Sequence, residues 1–197
     1  MNRKEIKAAA RKQLGNGIFK ENWLIALLVI LIEGAIVSAA SIASIVVVGP
    51  MTFGVAYLFL KQARDNEKMN IGDIFKGFAD DFGGTFLIGF MSELFIFLWS
   101  LLFVIPGIIK TYAYSMVYYI KVDHPEYSWK ECLDESQRMM NGHKWELFVL
   151  ELSFIGWIFV GMLTFGIGML FVAPYMEASY AQFYNALKNE GASVVEQ

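Results

Sequence analysis

One cysteine, two histidines and four prolines are all that 197 residues carry of those types. The lone Cys132 excludes an internal disulfide framework and a zinc site built on cysteines. Charge is also scarce. Asp, Glu, Lys and Arg make up 18% of the chain, against about 25% in ordinary soluble domains. The formal net charge of −3 argues against a nucleic-acid partner. What is abundant is apolar: 56% hydrophobic residues, 16% aromatics and a mean hydropathy of +0.47. That much apolar surface excludes disorder and a water-soluble globule. An integral membrane protein remains.

The apolar residues fall in three blocks, Trp23–Leu60, Phe82–Ile120 and Trp145–Tyr184. Each is about 38 to 40 residues, twice the roughly 20 that one helix needs to span the hydrocarbon. Each also has a break near its middle. The first has Ser38 to Ser41 and then Gly49-Pro50, and the second has Trp99-Ser100 and then Pro106-Gly107. The third has Thr164-Phe165-Gly166 and Gly168, then Pro174. The reading is three helical hairpins, six membrane helices in all. Proline suits the first turn of a helix, so the second helices could start at Pro50, Pro106 and Pro174, which leaves them short. In the third block the glycines place the turn earlier and Pro174 becomes a kink.

The blocks resemble one another. Valine stands two residues before each proline (Val48, Val104, Val172), and a tyrosine follows at Tyr57, Tyr112 or Tyr180. Upstream of each block lies a polar stretch that opens with a capping signal: Asn2 with Glu5, Asn70 with Asp73, Ser128 with Glu131. Apolar residues then follow at helical spacing. They are Ile6, Ala9 and Ala10; Ile71, Ile74 and Phe75; and Trp129, Cys132 and Leu133. These stretches read as amphipathic helices lying flat in the membrane interface. The expected architecture is an all-α polytopic bundle in one domain, 1–197, with a threefold internal repeat over about 2–64, 70–122 and 128–188.

Charge sets the expected topology. Lys and Arg cluster in 1–22, 61–81 and 121–144, and the turns within the hairpins carry no charge. The positive-inside rule then places both termini and the long loops in the cytoplasm. Residues 1–45 read as an uncleaved anchor, because a 22-residue polar start precedes a long apolar run. The basic first stretch could also hold anionic lipid.

Catalytic patterns are lacking. No Gly-rich phosphate loop occurs, and no nucleophile sits beside a base. Asp123-His124-Pro125-Glu126 reads as a loop before the Ser128 cap, and His143 beside Lys144 as a contact at the bilayer edge. The candidates lie inside the apolar blocks: Glu33, Glu93, Lys110, Glu151 and Glu177. Such groups face a bundle interior or mark a pathway, or they join helices by hydrogen bonds. Lys110 is expected to pair with Glu177, with Glu93 or Glu33 as other partners.

Several segments resemble a bacterial membrane family catalogued as domain of unknown function 975. They include Leu94 to Ser100, Val104 to Lys110, Asn141 to Trp145, Ser153 to Trp157, Thr164 to Gly168, and Pro174-Tyr175-Met176. The family is distantly similar to the membrane domain of some glycerophosphodiester phosphodiesterases. The resemblance covers nearly the whole chain. It implies a small polytopic protein of the bacterial cytoplasmic membrane and carries no catalytic residues with it. The functional expectation is a non-enzymatic protein, without cofactor or metal, that binds or organises lipid or a membrane partner. The alternative is a small transporter or flippase-like carrier using the glutamates and Lys110.

Overall fold

The computed structural model describes residues 2–15, 21–39, 44–65, 68–163 and 167–195, and every regular element among them is helical. In chain order these are α1 (Arg3–Gln13), α2 (Glu21–Ala39), α3 (Ser44–Asp65), a 3-10 turn (Ile71–Phe75), α4 (Lys76–Ala79), α5 (Phe82–Leu102), α6 (Val104–Ala113), α7 (Val117–Asp123), α8 (Trp129–Met139), α9 (Lys144–Leu152), α10 (Ile155–Leu163) and α11 (Ile167–Val195). Among the described residues, three stretches are long and apolar enough to cross a membrane: Ile45–Asp65, Phe82–Leu102 and Lys144–Leu163. The first and third intra-hairpin turns expected from the sequence, around Ala40 and Thr164–Gly166, lie outside the described residues.

The chain divides into two compact units. Met1–Ile32, Leu58–Ile71 and Glu146–Gln197 form one; Glu33–Tyr57 and Gly72–Trp145 form the other. In the first unit the apolar face of α1 (Ile6, Ala10, Leu14) is buried, and α1 packs on α11. The buried amide of Gln13 ties its end down. Its Nε2 donates to the Phe59 carbonyl at 2.8 Å, and its Oε1 accepts from Gln182 Nε2 at 2.9 Å. In the second unit the matching face of α8 (Cys132, Leu133, Ser136) is buried, and α8 packs on α5 and α7. Both amphipathic helices therefore cover their apolar faces with protein instead of laying them on lipid. Burial against a neighbouring helix satisfies the same stripe. Burial also pushes the Cys132 thiol up to about 11, so this group is a core residue.

The capping signals are realised unequally. Ser128 and Glu131 form a full capping box. Asn2 caps one residue earlier than expected, accepting from the Lys4 amide, while its own amide donates to Glu5. The middle stretch is a 3-10 turn running into the short α4, not a regular amphipathic helix. Gly72 and Gly77 weaken a helix there. Gly77 instead allows close approach to α3: a Cβ on it would stand 2.2 Å from the Pro50 carbonyl oxygen.

The prolines do not all open helices. Pro50 and Pro174 lie inside α3 and α11, and Pro106 is the third residue of α6. The helices begin upstream of these prolines, at Ser44, Val104 and Ile167. Only Pro106 stands in a first turn, where a missing N–H costs nothing.

Candidate functional site

Arg3, Lys7 and Arg11 repeat every four residues, so they share one face of α1. With Asn2, Lys4 and Ser153 they line an open cleft of about 1050 Å³. The first turn of α1 forms part of the wall. Two aromatic residues hold Lys7 and Arg11 in place. The Lys7 ammonium lies 3.9 Å from the centre of the Phe154 ring, and it donates to Ser153 Oγ at 2.8 Å and the Ser153 carbonyl at 3.2 Å. Tyr175 meets Phe154 edge-on at 5.1 Å. Its hydroxyl donates to the Lys7 carbonyl at 3.2 Å and accepts from Arg11 Nε at 3.1 Å.

Electrostatically the cleft is uncompensated. Among the described residues no carboxylate forms an ion pair with Arg3, Lys4, Lys7 or Arg11. Glu5 is held by Asn2 instead. Burial, then the charges of Arg11 and Arg3, push the Lys7 ammonium below its usual range. Like charges at this spacing destabilise a helix by about 0.2–0.5 kcal/mol per pair. The arrangement gathers four cationic side chains around one cleft.

The residues singled out within the apolar blocks divide between the two units. In the first unit, Tyr180 donates to Glu151 at 3.3 Å, and Glu177 lies half-buried on α11. In the second unit, Thr52 is the polar neighbour of Glu33, and the Tyr118 hydroxyl feels both Glu33 and Glu93. Glu93 is exposed. It lines a groove of about 640 Å³ with Gly49, Gly89, Phe90 and Phe97. Lys110 donates to Gln137 on α8 and lies 5.4 Å from the ring centres of Trp99 and Tyr114. Gln137 is a neutral partner that no charge-pairing argument selects. The loop histidine His124 stacks on Tyr127 at 4.4 Å and meets Glu126 at 3.1 Å. Among the described residues no three His, Cys, Asp or Glu side chains converge as metal ligands.

The sequence profile of one family, Protein of unknown function (DUF975), matches residues 1–111 and again residues 101–191. The chain belongs to this family. No curated protein and no solved structure matches it.

Proposed function

We propose that this is a non-enzymatic integral membrane protein of the bacterial cytoplasmic membrane that binds anionic phospholipid headgroups through the basic face of α1. The cleft lined by Arg3, Lys4, Lys7 and Arg11 carries this reading. A phosphodiester supplies the missing negative charge, and the guanidinium groups of Arg3 and Arg11 suit two of its oxygens. Lys7, fixed by Ser153 and Phe154, sets the depth of the site. The clustering of Lys and Arg near the ends of the apolar blocks supports cytoplasmic termini. With cytoplasmic termini the cleft would face the leaflet whose surface potential is negative.

Each basic residue near an anionic surface contributes about 1 kcal/mol. The variant Arg3→Gln/Lys4→Gln/Arg11→Gln leaves Lys7 and its contacts in place. It is expected to lose about a hundredfold in affinity for phosphatidylglycerol. Native mass spectrometry of the protein released from mixed phosphatidylglycerol and phosphatidylethanolamine membranes reads this directly. Equal retention of phosphatidylglycerol by wild type and variant would refute the assignment.

A further inference from the structure

We propose that the α5–α6 hairpin does not cross the bilayer. It dips from the side that carries α8 and ends among the acyl chains near the midplane, and the end of α10 at Leu163 reaches the same depth beside α1. The argument starts from α8, whose Lys130, Glu131, Asp134 and Arg138 are exposed. A helix with such a face lies in water or among headgroups, not in hydrocarbon. Two contacts fix where α8 meets the hairpin. The rings of Trp129 and Phe95 lie 6.4 Å apart, and Gln137 accepts from Lys110. Phe95 is eight residues before Phe103 and Lys110 seven after it. At 1.5 Å per residue, about 12 Å of each arm extends beyond α8, less than half of a hydrocarbon core of about 30 Å.

The chemistry of the tip agrees. Between Glu93 and Lys110 no residue is ionisable. The turn is Leu101 to Ile105, each two-thirds or more exposed. A turn that emerged into water on the far side would present a large bare apolar patch. Two of its backbone donors are satisfied internally, as suits a lipid setting. The Phe103 N–H donates to the Trp99 carbonyl, and the Gly107 N–H donates to the Phe103 carbonyl. Pro106 has no N–H to satisfy.

The first unit repeats the pattern independently. The charged α1 meets α10–α11 at Ser153, Phe154 and Tyr175. From there to the end of α10 is about 15 Å of helix. No ionisable acid or base lies between Glu151 and Glu177 apart from the Tyr175 phenol, and Leu163 at the end of α10 is 82% exposed. Glu93, Lys110, Glu151 and Glu177 then all sit level with or behind the charged helices, at headgroup depth. That removes the cost of burying charge at mid-bilayer. The inference does not depend on headgroup binding, because α8 carries charges of both signs.

The test places nitroxides at Phe103→Cys, Leu102→Cys and Leu163→Cys in a Cys132→Ser background, in reconstituted vesicles with a water-soluble nickel chelate added to both sides. Each label is expected to collide freely with oxygen and to lose nearly all nickel contact, with a depth within about 5 Å of the midplane. His124→Cys, in an exposed loop, gives the water reference. Nickel contact at either tip approaching that reference would overturn the proposal for that hairpin. Leu102 and Phe103 report on the same turn, so a folding defect in one leaves the other to decide.

Discussion

Replacing Lys121 by methionine is expected to cost about 3 kcal/mol and to lower the detergent melting temperature by several degrees. Lys121 is 3% exposed, and its ammonium has three acceptors. These are Asp81 Oδ2 at 2.8 Å and the carbonyls of Pro125 and Tyr127 at 2.7 and 2.9 Å. The contact ties the start of α5 to the loop that launches α8. Methionine fills the space of the stem and leaves the two carbonyls and a carboxylate without their donor. Asp81 also caps α5 by accepting from the Gly84 amide at 2.9 Å. The hydrogen bond from Lys121, with that amide as a smaller contribution, holds the Asp81 carboxyl below the usual carboxylate range. A depressed native pKa contributes stability that is complete above the unfolded value of about 4 and is lost as pH falls through the native value. Thermal melts from pH 7 to pH 3 therefore steepen below about pH 4 in the wild type. Asp81→Asn is expected to flatten that slope. An equal slope in both proteins would remove Asp81 from the account.

Gly54→Val is expected to prevent the second unit from forming. A Cβ at residue 54 would lie 1.9 Å from the Ile74 carbonyl oxygen and 2.8 Å from the Ile74 Cα. Backbone cannot yield as a flexible side chain does, so α3 and the 71–75 turn would have to part. Ordinary overpacking costs about 1–3 kcal/mol, and this overlap exceeds the ordinary case. Expression without a monodisperse folded peak by fluorescence-detected chromatography is the expected outcome. Wild-type behaviour of Gly54→Val would mean that the 3-10 turn does not sit on α3. Gly34→Val is the control, since a Cβ there meets nothing within 4 Å.

The helices were legible because apolar length and helical spacing are local properties. The α8 capping box, the burial of Ile6, Ala10, Cys132 and Leu133, and the family itself could all be read from residues in order. What the amphipathic stripes cover could not be. A stripe fits lipid and a neighbouring helix equally well, and only the contacts of α1 with α11 and of α8 with α5 and α7 decide. The partner of Lys110 was not legible either, because Gln137 of α8 is neutral and no charge-pairing argument selects it. The basic cleft was half visible. Arg3, Lys7 and Arg11 stand at a four-residue period in the sequence, but Ser153, Phe154 and Tyr175 are about 150 residues away and carry no pattern that points to α1.

The central claim is that α1 recognises anionic headgroups, and lipid selectivity in a reconstituted bilayer measures it most directly. Spin-labelled phosphatidylglycerol and phosphatidylcholine are compared for the fraction immobilised by the protein, at low and at high salt. The account predicts at least a tenfold preference for phosphatidylglycerol at low salt. The preference shrinks toward unity as salt screens the Arg3, Lys4, Lys7 and Arg11 cluster. Equal immobilisation of the two lipids at low salt would contradict it.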